Sequence, residues 1–374
     1  MLIGIDGNEA NIKNRVGVGQ YAFNLLKNIY LIDQKNQYII YLKDQPLEDL
    51  PQERQNWHYK IFGPQKLWTK FALPIHLFTQ KEKLDIFYSP GHYSPQFAPC
   101  PTIPTIHDLG YLQFQNQFTK KDLYQLINWT RQSIKKSAHI ITVSDFSKTE
   151  IEKTYQIDPQ KITIAYNGVD EPLKVDLKTQ QKILLSYYLQ HKNYYLYLGT
   201  LKPNKNIPFL IRSFSQFLKT TDQKTKLVIA GKKGWLFDEI FITVQKEGME
   251  SNIVFTDFVD ESQKTTLYKH AKALILPSTY EGFGIPAIEA MKSNTPVISS
   301  NIDPLKEVIQ NNGFYFDPTN QEELVHQLIN FERINPKEIK KITDQAKIRA
   351  DFFTWTNTAK SVISVFEKFK NVGV

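Results

Sequence analysis

The sequence is poor in cysteine and has no long apolar run. Cys100 is the one cysteine in 374 residues, which excludes an internal disulfide and is typical of proteins from a reducing cytoplasm. No stretch approaches the roughly 18 consecutive apolar residues of a membrane-spanning helix. Residues 1–6 lack the basic flank and long apolar core of a signal peptide, and we predict a strand there. We therefore expect a cytoplasmic protein.

A metal-binding cluster and a concentrated basic patch are also missing. Histidine and cysteine do not occur together at ligand spacing, so we predict no metal site. The net charge of +8 is spread along the chain, with lysine pairs such as Lys120-Lys121 and Lys135-Lys136 but no longer basic block. Since the aromatic-plus-basic signature of RNA-binding modules is absent, we predict no nucleic-acid partner. Loose attachment to the inner face of a membrane is left open as an alternative.

The chain does contain a regular alternation of short apolar runs and helical segments. Strands are predicted at 38–42, 58–62, 85–89, 102–106, 140–143 and 194–198, and helices near 67–80, 120–136 and 146–155. This alternation indicates an α/β protein with mostly parallel sheets. The length predicts two or three domains, and the Asn167-Gly168 turn followed by a polar linker marks the end of the first.

One stretch, residues 274–299, combines several features of a ligand site. An apolar run predicts a buried strand, and Pro286 suits the first turn of the helix that follows. Glu281 then lies at the end of the strand, and Glu289, eight positions later, about a turn into the helix. The glycines between them let a ligand approach the backbone, and a helix N-terminus favours anionic groups. Since ligands of open α/β sheets bind at the carboxyl ends of strands, we predict a polar, phosphorylated ligand here.

The same stretch carries a family resemblance. The run EGFGIP from Glu281, with Glu289, resembles the E-x7-E signature of retaining glycosyltransferases of the GT-B fold. It is similar to family 4, the glycosyl transferases group 1, which holds many bacterial mannosyl-, glucosyl- and rhamnosyltransferases. Nearly the whole chain shares this likeness, with further matching runs at 106–109 (IHDL), 143–148 (VSDFSK), 199–206 (GTLKPNKN) and 230–235 (AGKKGW).

The resemblance implies the GT-B fold, in which two Rossmann-like α/β domains face each other across a cleft. Residues 1–172 are then an N-terminal, acceptor-side domain, and residues 173–355 a C-terminal domain that binds the nucleotide sugar. Residues 356–374 are expected to form a helix that crosses back to the N-terminal domain. The co-substrate is a nucleotide-diphosphate sugar. No other cofactor and no metal is expected, because lysine and helix amides take the metal's place.

Roles for individual residues also follow from the resemblance. The expected catalytic residues are His107, which stabilises the positively charged sugar, Lys205, which faces the diphosphate, and Glu281, which holds sugar hydroxyls. The expected donor-binding residues are Gly17, Gly19, Gly199, Thr200, Gly231, Lys232, Phe258, Val259, Gly282, Phe283, Gly284, Ile285 and Glu289, the last of these on the ribose. Asp108 and Tyr111 are expected on the acceptor side, with residues 110–119 predicted to form a loop there.

The sequence departs from the family pattern in places. Similar sequences carry an arginine beside the lysine, at a position that is Asn204 here or, in an alternative arrangement, Thr200. Lys202 is a second cation that could substitute, although a solvated lysine at a helix start is the simpler interpretation. A family glycine in the base-binding turn is Asp257 here, which leaves the identity of the base open.

The expected reaction transfers a hexosyl group to a hydroxyl of a glycan or lipid-linked acceptor, with retention of configuration. No second carboxylate is placed as a nucleophile, so a front-face departure, in which the leaving phosphate takes the acceptor's proton, suits the sequence. GDP-mannose is the first expectation for the donor, and dTDP-rhamnose, UDP-glucose and UDP-N-acetylglucosamine are alternatives. The rival functions are a sugar-nucleotide synthase or phosphorylase, and a nucleotide-sugar-binding protein with weakened catalysis.

Overall fold

The chain divides into two compact units. The structure, a computed structural model, describes residues 1–221, 223–234 and 236–370. Unit 1 contains Met1–Gly168 and the chain from Phe353 onward, and unit 2 contains Val169–Phe352. The sequence analysis placed both divisions a few residues later, at 172/173 and 355/356. Gly168 packs directly on Trp355 within unit 1, where an added Cβ would lie 2.3 Å from the Trp355 nitrogen.

The first half of the chain alternates strands and helices. Its elements are β1 (Leu2–Asp6), α1 (Val18–Ile32), β2 (Gln37–Leu42), β3 (Trp57–Ile61), α2 (Ala72–Thr79), β4 (Ile86–Ser89), β5 (Thr102–Ile106), α3 (Gly110–Gln113), α4 (Lys120–Lys136), β6 (Ile140–Thr142), α5 (Asp145–Tyr155) and β7 (Ile162–Ile164). Single 3-10 turns occur at Gln115–Gln117 and Pro159–Lys161.

The second half repeats this alternation. Its elements are α6 (Leu177–Ser186), β8 (Tyr194–Leu198), α7 (Ile207–Thr221), β9 (Lys226–Ala230), α8 (Asp238–Glu247), β10 (Ile253–Asp257), α9 (Glu261–His270), β11 (Leu274–Leu276), α10 (Ile285–Lys292), β12 (Val297–Ser300), α11 (Asp303–Ile309), β13 (Phe314–Phe316), α12 (Gln321–Arg333), α13 (Pro336–Ala350) and α14 (Trp355–Glu367). A 3-10 turn at Pro203–Lys205 precedes α7.

Each unit contains one parallel sheet whose strand order reverses once. In unit 1 the order is β3-β2-β1-β4-β5-β6-β7, so the chain first builds outward from β1 and then continues from β4 on its other side. Unit 2 has the order β10-β9-β8-β11-β12-β13, with the reversal between β8 and β11. The loops that leave neighbouring strands at such a reversal diverge to opposite faces of the sheet and leave a crevice between them, where α/β proteins bind ligands.

Most central strands are buried along most of their length, as is usual for parallel sheets with helices on their faces, whereas the edge strand β3 is exposed at His58 and Ile61. In β8, for example, Tyr194, Tyr195 and Tyr197 are almost fully buried. Helix α14 belongs to unit 1, where Thr358 donates a hydrogen bond to the Tyr166 carbonyl. None of the helices in the described part of the chain is long and apolar enough to cross a membrane.

Two local predictions were wrong. The helix predicted over 67–80 begins only at Ala72, because Leu67 has a left-handed backbone (φ 54°) that opens a series of turns. The segment 110–119, predicted to be a loop, forms α3 and a 3-10 turn. Its apolar side chains pack on the unit's core, as Tyr111 does.

Candidate active site

The two loops at the strand reversal of unit 2 supply a charged pair. Lys205 follows β8 and Glu281 follows the neighbouring strand β11, and the Lys205 Nζ lies 2.5 Å from the Glu281 Oε1. Both side chains are only partly exposed, at 15% and 11%. The Ser278 hydroxyl donates a second hydrogen bond to the same oxygen at 2.7 Å. The carboxylate is therefore fixed from two sides, and it in turn holds the ammonium group in the crevice.

Asn204, where similar sequences carry an arginine, joins these two loops. Its backbone carbonyl accepts hydrogen bonds from the amide and hydroxyl of Thr279, and its side-chain amide donates to the Tyr280 carbonyl at 3.1 Å. The side chain is 7% exposed, and its Oδ1 has no hydrogen-bond partner among the described residues. Asn204 thus sets the distance between Lys205 and Glu281 and supplies no cation of its own.

Glu289 is held by the preceding helix, α9. Its Oε1 lies 2.7 Å from the Lys264 Nζ, and its Oε2 accepts a hydrogen bond of 2.9 Å from the Tyr268 hydroxyl. Burial alone would lower the pKa of Lys264, but the carboxylates of Glu289 and Glu261 outweigh it and raise that pKa. Burial, reinforced by Glu289, also raises the pKa of Tyr268 well above its ordinary value. Both partners therefore keep their protons at neutral pH and donate hydrogen bonds to the Glu289 side chain.

Residues 282–285 connect the two acidic residues and begin α10. Gly284 is the N-cap of α10 with a left-handed backbone (φ 109°), a conformation that favours glycine. Phe283 is buried and anchors the turn, while Gly282 and Ile285 are half-buried. The positive end of the α10 dipole therefore follows Glu281 closely along the chain, which favours an anionic ligand at this edge of the sheet.

The loops after β8, β9 and β10 form the other side of the crevice. Gly199 and Gly231 touch, because a Cβ on Gly231 (φ 145°) would lie 2.0 Å from the Gly199 carbonyl oxygen. The Lys232 Nζ lies 4.5 Å from the centre of the exposed Phe258 ring, and Val259 beside it is buried. Asp257, in the place of a family glycine, has a left-handed backbone (φ 56°). Thr200 is exposed at the same edge, whereas Trp235 lies outside the described residues.

Unit 1 has a glycine-rich turn at its own strand reversal. Gly17 is the N-cap of α1 with φ 50° and has open space around it. Gly19 lies inside the first turn of α1, close to the Glu9 carbonyl. Both glycines were predicted to bind the donor, and Arg15 beside Gly19 is a fixed cation, 8% exposed and ion-paired with Asp49.

His107 follows β5 and is held as a neutral imidazole. Its Nε2 lies 2.9 Å from the Pro90 carbonyl, which can only accept, so Nε2 carries the proton. Burial, aided by His92, lowers the pKa of His107 to about 4. At neutral pH the free Nδ1 is thus a hydrogen-bond acceptor. His107 was predicted to stabilise the positively charged sugar, and in this arrangement its ring can accept a hydrogen bond from a hydroxyl group.

The two residues predicted on the acceptor side, Asp108 and Tyr111, have different surroundings. Asp108 is half-buried, and its Oδ1 accepts a hydrogen bond from the Gly110 amide at 2.8 Å. Tyr111 is 3% exposed and packs in an apolar cluster, and its hydroxyl lies 3.2 Å from that of Tyr155. Tyr111 is therefore a core residue, and its assignment to acceptor binding is corrected.

Unit 1 also contains an open cavity of about 780 Å³ at its strand reversal. Polar and aromatic side chains from several loops line it, including Asp6, Glu9, Lys43, Lys66, His92, Tyr93, Lys121 and Trp129. Burial raises the pKa of Asp6 to about 6, although hydrogen bonds from Asn8 oppose this shift. Burial likewise raises the pKa of Glu9. Carboxyl groups beside aromatic rings are suited to binding hydroxyl-rich ligands such as sugars.

Family models and similar proteins all indicate the same family, the glycosyltransferases. The model "Glycosyltransferase Family 4" matches residues 17–172, and the model "Glycosyl transferases group 1" matches residues 188–349. O-antigen chain mannosyltransferase B of Escherichia coli is 27% identical over 75% of this chain and 74% of its own length. The O-antigen chain mannosyltransferase RfbU of Salmonella typhimurium is 30% identical over 66% of this chain and 65% of its own.

The chain belongs to the group 1 glycosyltransferases of the GT-B fold. A solved structure of this fold, the sucrose-phosphate synthase of Thermosynechococcus elongatus, superimposes over the full length of both chains with a TM-score of 0.74 at 16% identity. At that identity the likeness concerns the fold alone. The two units of this glycosyltransferase are therefore its two Rossmann-like domains.

Several residues of the glycosyltransferase's candidate site escaped the sequence analysis. Lys264 and Tyr268, which hold Glu289, lie on α9, whose pattern reads as an ordinary polar helix. Ser278 was noted only as part of the turn before Glu281, to which it donates. The signal that could have found Lys264 and Tyr268 is their spacing of four, which places an ammonium and a hydroxyl on one helix face.

Proposed function

We propose that this glycosyltransferase moves a hexosyl residue, with mannose as the first candidate, from a nucleotide-diphosphate sugar to a hydroxyl of a glycan or lipid-linked acceptor. The transfer retains the anomeric configuration and uses no bound metal. The protein acts in the cytoplasm, at the inner face of the membrane, in the synthesis of a cell-envelope polysaccharide. The names of the O-antigen chain mannosyltransferases support mannose and a polysaccharide product.

The observation that carries the proposal is the Lys205–Glu281 pair at the strand reversal of unit 2. An ammonium group held by a fixed carboxylate is preorganised, so it can stabilise a diphosphate without reorganising during the reaction. The N-terminus of α10 adds a positive dipole end at the same edge. Lysine and helix dipole together supply the charge that a metal ion provides in other sites.

In the proposed reaction, the bond from the sugar's anomeric carbon to the diphosphate oxygen breaks first. Lys205 stabilises the negative charge that develops on that oxygen, while Glu281 holds sugar hydroxyls. The acceptor hydroxyl approaches from the same face, its oxygen bonds to the anomeric carbon, and its proton passes to the departing phosphate. The products are a nucleoside diphosphate and the glycosylated acceptor, so atoms and charges balance.

Two further residues have supporting roles in this proposal. Glu289, held in place by Lys264 and Tyr268, accepts hydrogen bonds from the ribose hydroxyls. His107, with its proton committed to Pro90, accepts a hydrogen bond from a hydroxyl of the reacting sugar. That bond increases electron density on the sugar and stabilises the positive charge of its transition state.

The test is a transfer assay with GDP-mannose and a panel of glycan acceptors. Released GDP measures turnover, and the coupling of the new anomeric proton in NMR gives the configuration. We expect a product with the donor's configuration and activity that persists in excess EDTA. An inverted product, or loss of activity with EDTA that added metal restores, would contradict the mechanism.

A second candidate, a nucleotide-sugar-binding protein with weakened catalysis, is motivated by Asn204. That residue is buried between the loops and offers no second cation to the diphosphate. If the protein only binds the nucleotide sugar, it should bind the donor but show not even slow donor hydrolysis. The same assay, run without acceptor, separates it from the transferase, and free sugars or phosphate in the acceptor panel test the synthase or phosphorylase alternative.

A further inference from the structure

The linker that leads from unit 1 into unit 2, residues 169–176, contains no helix or strand. It follows Gly168, where the first part of unit 1 ends, and most of its residues are exposed. Exposed connections of this kind are ordinarily more mobile than the elements they join, because little of their chain is packed. This linker, however, is attached to both α9 and α10, the two helices that meet at Glu289.

The first attachment uses a buried lysine. Lys292 is the last residue of α10, and its side chain is 1% exposed. Its Nζ lies 2.6 Å from the Oε1 of Glu171 in the linker, whose side chain is 67% exposed. An ammonium group at a helix C-terminus interacts favourably with the helix dipole without being buried, whereas burying it costs free energy unless a carboxylate compensates. The burial of Lys292 therefore depends on Glu171, and the pair holds the linker against α10.

The second attachment is a hydrogen bond to α9. The Leu173 amide donates to the Thr265 Oγ1 at 3.2 Å, and Thr265 is 8% exposed. Pro172 lies between the two attached residues of the linker, and its ring fixes one of the backbone dihedral angles there. The two attachments are thus joined by a short, stiff segment.

Both attachments adjoin the contact that holds Glu289. Lys292 lies three positions after Glu289, about one turn further along α10. Thr265 directly follows Lys264, whose Nζ lies 2.7 Å from the Glu289 Oε1. The linker therefore binds each of the two helices within a turn of the Lys264–Glu289 contact. Releasing the linker would remove a constraint from both helices and leave the Glu289 carboxylate less precisely placed.

We propose that Glu171 and Lys292 are positioning residues for donor binding: by holding the linker on α9 and α10, they fix Glu289 for the donor's ribose. The inference rests on the proposed function in one respect, the role of Glu289 as a donor ligand. The effect passes through the helices, so neither positioning residue needs to touch the donor. Because coupling between two equilibria is reciprocal, a nucleotide bound at Glu289 should in turn hold the linker more firmly in place.

Hydrogen–deuterium exchange of the whole chain tests this reciprocity, with GDP, UDP, dTDP and ADP as probes. A nucleotide that binds should slow exchange of the Leu173 amide at least about fivefold, the lower end of ordinary coupling between sites. The control is the segment 156–161 of unit 1, between α5 and β7, whose exchange should not change. A bound nucleotide that leaves exchange in the linker unaltered would overturn the proposal.

Three variants separate positioning from stability. Lys292→Met replaces the ammonium group by an apolar side chain of similar length, so the chain should stay folded. The nucleotide Kd and the donor KM should nevertheless rise about fivefold, with little change in kcat. Glu171→Gln should raise the Kd similarly and also lower the Tm, because it leaves a buried ammonium group without its carboxylate. In the double variant Glu171→Gln/Lys292→Met, the Tm should recover and the Kd should not.

The matched control is Lys347→Met, which removes another lysine–carboxylate pair of unit 2. Lys347 lies 3.2 Å from Asp351, and the two side chains are 36% and 50% exposed, so this variant should keep the native Kd. Recovery of the Kd together with the Tm in the double variant, or an equal rise of the Kd in Lys347→Met, would show a purely structural role and overturn the proposal. Nucleotide binding with a protected linker but no sugar transfer would instead reject the proposed function alone.

Discussion

Both units have polar groups at the strand reversal of their sheet, but the groups of unit 2 are ion-paired and those of unit 1 are shifted toward their uncharged forms. In unit 2, the carboxylates Glu281 and Glu289 each lie against a lysine. In unit 1, burial raises the pKa of Asp6 to about 6 and, with His92, lowers that of His107 to about 4, so both shifts favour the uncharged form. Unit 2 is therefore suited to a charged diphosphate, and the carboxyl and imidazole groups of unit 1 to uncharged hydroxyls.

The largest expected effect concerns the glycines of the two strand–helix turns. Gly231→Ala would place a methyl group 2.0 Å from the Gly199 carbonyl at φ 145°, and we expect destabilisation of about 4 kcal/mol or loss of folded protein. Gly17→Ala, at φ 50° in open space, should cost only about 1 kcal/mol. Denaturant unfolding of both variants measures the difference. Equal losses would show that the unit 2 loops are not packed as described.

The second effect tests the charged pair of unit 2. Lys205→Ala and Glu281→Ala should each cost at least about 2 kcal/mol of transition-state stabilisation, or about 30-fold in kcat/KM. The measurement is released nucleotide, with thermal melting to verify the fold. Near-normal turnover in both variants would reject the assignment of this pair.

The sequence predicts those features that depend on residues close together in the chain. The strands Thr102–Ile106 and Tyr194–Leu198 and the helix Lys120–Lys136 match their predicted bounds, because a local apolar pattern and flanking polar residues specify them. The motif that contains Glu281 and Glu289 is sufficient to indicate the family. These features are all contained in short segments.

Interactions between distant segments could not be predicted. The burial of Tyr111 depends on Tyr155 and the core around it, and the same residues would suit a surface loop if α5 lay elsewhere. The bridging role of Asn204 depends on the loop after β11, more than 70 residues away. In the sequence, Asn204 appeared only as a missing arginine.

The third prediction concerns the partners of Glu289. Lys264→Met removes the cation at 2.7 Å and should raise the donor KM about fivefold, about 1 kcal/mol, with little change in kcat. Lys272→Met is the matched control, because Lys272 and Tyr195 hold Glu332 in the same way at 2.6 and 2.7 Å. If both variants raise KM equally, the effect is on stability and Glu289 has no special role.

The smallest effect is the pH dependence of Asp6 in unit 1. Its folded-state pKa of about 6 exceeds the ordinary 3.8, so the stability that the protonated carboxyl group contributes is fully present below about pH 4 and is lost as the pH rises to about 6. Asp6→Asn should therefore gain stability relative to the native chain as the pH rises from about 4 to about 6, and keep that gain above about pH 6. Thermal melting across this range measures it. A difference that is constant with pH would contradict the raised pKa.

The most direct test of the central claim, that Lys205 in unit 2 binds the diphosphate, is a thermal-shift screen with GDP, UDP, dTDP and ADP. The native chain is compared with Lys205→Ala and with Lys60→Ala, which removes an ion-paired lysine of unit 1. If Lys205 binds the diphosphate, at least one nucleotide raises the Tm of the native chain and of Lys60→Ala but not of Lys205→Ala. No shift with any nucleotide, or an equal shift in Lys205→Ala, would contradict it.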